Sequence, residues 1–557
     1  MNRLETILDH AEKAIQIAIK NYKTKDIKMK NSFKMILTSA ILLVSLNSCK
    51  KEAFNLTPTN DVTATTVYAT PAGYKNSLVK LYATYALTSP QGADGSDVGG
   101  LNSGFTDFLR LFWMSQELVT DEAICAWGDV GIPEMDYGLP TPDNQFLRGL
   151  YSRSILQITF CNEFLRESTA DKLASRNITG ADASNITRYR AEARFLRAFQ
   201  YWVLLDAFGN PPFITEDDNI GKVNPKQTQQ AALFSYVESE LKAIEGDLAE
   251  PRTNEYGRAD KAADWALLAR LYLNAQVYTG TAKYTEAITY SSKVIGASYA
   301  LKSNYMDLFK ADNDVNNTEN ILAINYDGIN GTNNGGTTYI INAAINADMN
   351  PTSYGVPGGG WGGNRTRQNL PNLFPDANGT LDKRGVFFGT KRTVDAVGEF
   401  TDGLRVTKFK NITSAGAPGR TINGTFASVD FPLFRLAEQY LIYGEAVARG
   451  GSGGTAALAL TYVNALRTRA YGNASGNVVA SALTTDFYLD ERGRELYWEG
   501  HRRTDLIRYG KFTGSSYLWA YKGGVQAGAA IPAYRNLYPL PLADLIANPG
   551  LIQNTGY

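Results

Sequence analysis

A chain of 557 residues is long enough to bury a large core, and 44% hydrophobic with 20% charged residues is an ordinary globular composition, which excludes a disordered or multi-span membrane protein. Lys+Arg and Asp+Glu both total 55, so no net field favours nucleic acid or an anionic membrane. Tyrosine is the outlier: 32 Tyr with 7 Trp and 24 Phe supply many flat apolar faces with polar tips, usable in helix packing or in stacking on sugar rings.

The charge balance hides an asymmetry at the start of the chain. Residues 1–48 carry eight basic side chains against four acidic ones, leaving 47 and 51 in the remainder, a mildly acidic body. From Met29 the chain reads MKNSFKMILTSAILLVSLNSC: lysines, an apolar stretch from Met35 to Leu46, then small residues before Cys49. This is the layout of a secretory signal peptide, too short in its apolar part to span a membrane stably. Leu46-Asn47-Ser48-Cys49 resembles a bacterial lipobox, in which cleavage precedes the cysteine and its thiol carries diacylglycerol. Residues 1–28 are expected to be a mis-called start, residues 29–48 the signal peptide, and residues 49–65 the lipidated Cys49 with a Thr-rich linker.

Helical patterns dominate beyond the linker. Pro71 to Leu87 opens at a proline and places Leu78, Leu81, Tyr82 and Tyr85 on one 3.6-period stripe. Phe146 to Leu165 behaves alike, and Ala191 to Phe208 aligns Phe195, Phe199, Trp202 and Val203 before Gly209-Asn210-Pro211-Pro212 stops it. Further helices are expected at about 229–248, 259–279, 283–297, 433–449, 455–470 and 485–509. Tyr440, Tyr443, Gly444, Val447, Ala456, Leu460 and Val463 keep the spacing of a degenerate tetratricopeptide repeat, and Trp265, Leu268, Ala269, Tyr272 and Ala287 form a second copy. Between about 300 and 432 the texture changes to Gly, Asn and Thr with short β-like runs at Asn320 to Tyr326 and Leu404 to Phe409. GVPGGGWGG, residues 355–363, cannot be helical, because each glycine there costs about 1 kcal/mol relative to alanine. A loop-rich lobe inserted in a helical scaffold is where binding surfaces usually sit.

Most reactive chemistries fail on residue count. Past the signal only His501 remains, which leaves no His-based triad or multi-His metal site. Gly358, Gly360 and Gly363 fit GxGxxG without the strand-turn-helix context of a dinucleotide site. Asp312, Asp314 and Asn316 begin like a calcium loop, but Asn317 and Ala323 occupy the positions that need Gly and Glu. Glu491, Glu495 and Glu499 stand about 6 Å apart on one helix face among arginines, whereas a glycosidase's two acids must flank a bond from opposite sides. A salt-bridged face is the reading adopted, with no catalytic residue, metal or cofactor. Cys125 and Cys161 could pair or stay as buried thiols, and spacing does not choose.

Aromatics outside the helices are the remaining signal. Trp127, Tyr137, Tyr354 and Trp361 lie in Gly/Pro-rich stretches, with Asn364 and Arg365 beside the last, which is the composition of a sugar-stacking platform.

AEARFLRAFQYWVLLDAFGNPPF (191–213), FRLAEQYLIYGEAVAR (434–449), YVNALRTRA (462–470), FYLDERGRELYWEGHRRTDLIRYGKF (487–512) and LYPLPLADLIANPGLIQNTGY (537–557) together resemble the SusD/RagB family over nearly all of the mature chain. The resemblance implies a mainly α single domain over 66–557, with four degenerate tetratricopeptide-type helical pairs carrying a loop-rich lobe with short β-strands. It implies a non-enzymatic lipoprotein on the outer-membrane surface that captures oligosaccharide as a lid over a SusC-type TonB-dependent transporter. A peptide-binding RagB-like member and a tetratricopeptide-type scaffold for surface proteins are the alternatives. The residues chosen for ligand contact, on loop position and chemistry, are Trp127, Trp361, Tyr354, Asn364, Arg365 and Tyr137.

Overall fold

The computed structural model describes residues 9–17, 63–218, 221 and 224–557. The signal segment, Cys49 and nearly all of the linker lie outside the described residues. Residues 9–17 are helical, with Lys13 bonded to Asp9 one turn away at 2.8 Å. No helix among the described residues is long and apolar enough to cross a membrane.

The body starts with α1 (Pro71–Ala86), whose first turn is closed by the Thr70 hydroxyl accepting from the Gly73 N–H. Its buried face includes Leu78, Leu81 and Tyr85 of the expected stripe and adds Tyr74, while Tyr82 is only partly buried. Asp107 caps α2 (Phe108–Trp113), which runs into a π-helical turn at Met114–Leu118. A short strand, β1 (Ile124–Cys125), leads to α3 (Gln145–Glu167). Helix α4 (Gly180–Phe208) begins eleven residues before the expected Ala191, because its polar first turns lie largely in solvent and carry no apolar stripe. From Ala191 onward α4 is buried on nearly every side, and Gly209 ends it at φ 70°.

The rest of the scaffold is α5 (Gln230–Ile244), α6 (Lys261–Leu273), α7 (Tyr284–Ile295), α9 (Leu436–Ala448), α10 (Ala456–Tyr471), α11 (Thr485–Leu496) and α12 (Arg502–Arg508). The pairs α3–α4, α6–α7 and α9–α10 each pack together; α5 adds to α4, and α7 joins the α6 pair to α9. Within α9, a Cβ on Gly444 would stand 2.4 Å from the Tyr488 ring, so this glycine admits α11 rather than α10. Tyr440 stacks on Tyr462 with centroids 4.5 Å apart. Ala456, expected as the packed alanine of that repeat, is exposed; Ala459, one turn later, is fully buried in its place.

The lobe between the helical pairs contains β2 (Asn320–Ile324), α8 (Gly336–Ala344) and β3 (Asn364–Arg365), and ends in β4 (Phe431–Arg435), which feeds directly into α9. β2 pairs antiparallel with β4, and β1 pairs antiparallel with β3. Two more two-residue ladders join 212–213 to 226–227 and 387–388 to 405–406.

The expected helix 485–509 is broken. Trp498 at φ 63° and Gly500 at φ 80° turn the chain between α11 and α12. Two buried carboxylates take the freed donors: Glu122, just past the π-helical turn, accepts the Trp498 N–H at 3.1 Å, and Glu117, within it, accepts those of Gly500 and His501. The expected salt-bridged ladder, Glu491 and Glu495 on α11 and Glu499 past its end, is present and buried. Arg435 of β4 bonds Glu319, Glu495 and Glu499 at 2.6–2.9 Å, and Arg384 bonds Asp382, Glu491 and Glu495 at 2.7–3.1 Å. This network ties the lobe to the helical scaffold through charges that the fold has removed from water.

Candidate functional site

The two-residue ladder of β1 with β3 places Ile124 opposite Arg365 and Cys125 opposite Asn364. It continues one step, the Ala126 N–H donating to the Gly363 carbonyl at 2.9 Å. Trp127 and Trp361, more than 230 residues apart in sequence, therefore border one short shelf of backbone, Gly362-Gly363. Both indoles are half-buried. Gly363 has φ 108°, and a Cβ there would stand 2.3 Å from Trp127 Nε1, so only glycine lets the indole lie against the chain.

The shelf is held from below. The Trp361 N–H donates to the Asn342 carbonyl of α8 at 2.7 Å, and the Gly362 N–H is shared between the carbonyls of Asn342 and Ile345. Trp127 meets Tyr339 of α8 edge to face at 6.0 Å. The Arg110 guanidinium lies 4.4 Å from the Tyr339 ring centroid and 5.6 Å from that of Trp127, while donating to the Gly104 carbonyl at 2.7 Å. Tyr339 and Arg110 are supports that the sequence did not single out. Arg110 was visible as the lone charge inside FLRLFW, and Tyr339 sits on a helix that the Gly/Asn-rich texture concealed.

Asn364 and Arg365, expected as ligand contacts, are both used internally by the fold. Asn364 is fully buried, its amide donating to the Tyr339 hydroxyl at 3.1 Å. Arg365 is fully buried and donates to the carbonyls of Val397 at 2.7 Å and Glu399 at 3.0 Å. On β3 these residues alternate into the body, and a guanidinium there finds carbonyls rather than solvent. Asn364 ties β3 to α8, and Arg365 holds the neighbouring loop 397–400. That loop presents Phe400, 39% exposed, whose ring would stand 3.0 Å from a Cβ on Gly362.

Tyr137 is half-buried and stacks on Tyr521 with centroids 6.4 Å apart. The Tyr521 hydroxyl donates to the Asp395 carbonyl, at the start of the Arg365-held loop, so this pair borders the same region. Tyr354 is not joined to the tryptophans. Its carbonyl accepts the Asn411 N–H at 3.0 Å, and Lys410 lies 5.2 Å from its ring centroid.

Beneath the shelf are groups that do not titrate normally. Burial raises the Asp136 carboxyl against the opposing pull of Arg367, the Cys125 N–H and Arg365, and leaves it at about 7. Burial also pushes the Cys125 thiol far up, which makes it inert. Cys125 and Cys161 are both free and buried. A cavity of about 780 Å³, lined by Asn162, Arg166 and Phe213 among others, shares no residue with the shelf. The aromatic region is a face rather than a pocket, suited to an extended ligand laid across it.

The SusD family profile matches residues 383–557. Over 96% of this chain and 100% of the relative, the sequence is 36% identical to the starch-binding protein SusD of Bacteroides thetaiotaomicron. The chain belongs to the SusD family. SusD-like protein P25 of Formosa agariphila is 26% identical over 66% of this chain and 73% of that protein. Among solved structures, the surface glycan-binding protein A of Bacteroides thetaiotaomicron in complex with laminarihexaose superposes with TM-score 0.65 at 19% identity, covering 87% of this chain and 99% of that one. A SusD superfamily protein from Parabacteroides distasonis reaches TM-score 0.67 at 21% identity, over 89% and 100%. The mainly helical SusD architecture with few short strands is thus established, and membership places the chain among binding proteins rather than enzymes.

Proposed function

We propose that this protein captures an oligosaccharide on the Trp127–Trp361 face and delivers it to a SusC-type TonB-dependent transporter, held at the outer-membrane surface by a lipid on Cys49. The observation that carries the reading is the juxtaposition: a two-residue ladder brings two half-buried indoles from distant segments to one buried glycine turn, with Phe400 lying against the same turn. Trp and Tyr give large, rigid contact area at low entropic cost, and their faces match the C–H faces of pyranose rings. Phe400 and the Tyr137–Tyr521 pair extend the face for further units. Asn364, Arg365, Arg110 and Tyr339 fix its geometry from beneath. A starch-binding relative and a laminarihexaose-bound neighbour support a glycan over a peptide. Delivery and lipid anchoring rest on the family resemblance and on the lipobox at Leu46 to Cys49.

A glycan array probed with the purified protein, beside a peptide array, tests the ligand class. Retention of α- or β-glucan chains with no peptide signal is expected; peptide binding alone would overturn the reading. Capture of a large TonB-dependent barrel from detergent-solubilised outer membranes, and a diacylglycerol mass on Cys49, are the expected results for partner and anchor.

A further inference from the structure

A second cleft, of about 190 Å³, opens between the α5–α6 connection and β2, and shares no residue with the tryptophan shelf. Two tyrosines line it. Tyr256 is 47% exposed, yet its hydroxyl is pinned by donating to Asp430 Oδ2 at 3.0 Å. Tyr299 is half-buried; its hydroxyl points to Asp260 Oδ2 at 3.4 Å, and the Arg252 guanidinium lies 5.4 Å from its ring centroid. Arg252 occupies the left-handed region at φ 64°, a conformation that costs a non-glycine residue about 1 kcal/mol or more. Its N–H donates to Asp260 at 2.7 Å and its guanidinium to the Ser298 carbonyl at 2.9 Å, which fix it at the rim.

The third wall is polar. Asn320 is 8% exposed; its amide lies beside the Tyr256 hydroxyl, yet neither its oxygen nor its nitrogen makes a hydrogen bond of good geometry in the protein. The neighbouring amides are occupied: Asn254 bonds the Ala259 carbonyl and the Glu255 N–H, and Asn317 bonds the Asn313 carbonyl and the N–H groups of Glu319 and Asn320. Leaving a buried amide unsatisfied costs about 1–3 kcal/mol, so its place beside a cleft calls for a ligand that both donates and accepts. Adjacent hydroxyls of a sugar do so. Two arginines, Arg252 and Arg258, face two carboxylates, Glu255 and Asp260, a balance that favours a neutral ligand. The volume falls below the roughly 300–1,000 Å³ of drug-sized sites and matches one ring rather than a chain. Asn320 sits opposite Arg435 at the end of the β2–β4 ladder, next to a break in its register.

We propose that this cleft is a second saccharide subsite, taking one neutral hexose unit of a glycan chain against Tyr256 and Tyr299, with Asn320 bonding its hydroxyls. The proposal rests on the glycan reading above. Calorimetric titration of maltohexaose and laminarihexaose into wild-type protein, a Trp127→Ala/Trp361→Ala variant, and that variant with Tyr256→Ala or Asn320→Leu added tests it. The double variant is expected to keep binding at about millimolar strength, and either addition to weaken that by about tenfold, with melting unchanged for Asn320→Leu. Tyr256→Ala leaves the buried Asp430 Oδ2 without its donor, whereas Asn320→Leu removes an amide that the fold leaves unbonded; Asn320→Leu therefore covers any loss of folding in Tyr256→Ala. Residual binding untouched by both additions, or binding in wild type but none in a folded double variant, would overturn the second site alone. A wild-type protein that binds neither probe would overturn the glycan reading and this proposal with it.

Discussion

Cys125 and Asn364 face each other across a two-residue antiparallel ladder, and that single pairing puts Trp127 and Trp361 on the same strip of backbone. Neither tryptophan touches the ladder as a hydrogen-bonding member. They inherit their positions from it, and from the two glycines that follow Trp361.

Replacing one of those glycines tests the shelf without removing an aromatic ring. Gly363→Ala places a methyl 2.3 Å from the Trp127 indole nitrogen in a backbone conformation that disfavours alanine. The indole must move. Glycan affinity is expected to fall by about tenfold, with a shift in tryptophan fluorescence, while melting drops by only a few degrees. Calorimetry and emission spectra on the same sample check it.

Arg365 separates support from contact. In Arg365→Ala the loop carrying Phe400 loses its bonds through the carbonyls of Val397 and Glu399, at a cost of about 1–3 kcal/mol. Amide exchange over residues 395–400 should accelerate and the melting temperature should fall. Trp361→Ala should leave both unchanged.

The carboxyl under the shelf gives a signed pH dependence. Asp136 has its folded value raised from 3.8 to about 7, so its stabilising contribution is complete below about pH 4 and is lost as pH rises through 7. Denaturant unfolding at pH 5 and pH 8 should show lower stability at pH 8. In Asp136→Asn that gap should narrow by about 1 kcal/mol or more, because the asparagine oxygen still accepts the Cys125 N–H and never charges.

The α11 network acts at the acid end. Burial alone would raise Glu491, but Arg384, Arg494 and Arg467 overcome it and hold the carboxyl at about 2. Its contribution is therefore full above about pH 4.5 and lost as pH falls through 2. Glu495 is held down likewise by Arg469, Arg435 and Arg384 against its burial. Glu495→Gln strips a carboxylate from three buried arginines and should destabilise by about 3–5 kcal/mol, read by urea unfolding. Wild type and variant alike should release no reducing sugar.

How much of this was legible in the sequence depended on the range of the forces involved. The stripe of α1 could be read because burial there follows the 3.6-residue period, and the second half of α4 because its apolar residues run up to a Gly-Asn-Pro-Pro stop, although the fold buries it on nearly every side. The break at Trp498 could not, since nothing between 485 and 509 signals it except Gly500; its cause is the pair of carboxylates at 117 and 122, far away in the chain. The same limit governed the face. Trp127 and Trp361 stood out as aromatics in non-helical sequence, whereas their juxtaposition depends on a ladder of two residues too short to leave a pattern. Asn364 and Arg365 misled for a related reason: polar side chains beside a candidate aromatic look like sugar ligands until the carbonyls of 397 and 399 are known to be in reach.

The most direct test of the central claim is calorimetric titration of maltohexaose and laminarihexaose into wild-type protein and into Trp127→Ala and Trp361→Ala singly. Each substitution is predicted to weaken binding by about 1–3 kcal/mol with melting unchanged within about 2 °C for Trp361→Ala. Wild-type affinity in both variants would contradict the assignment of ligand capture to this face.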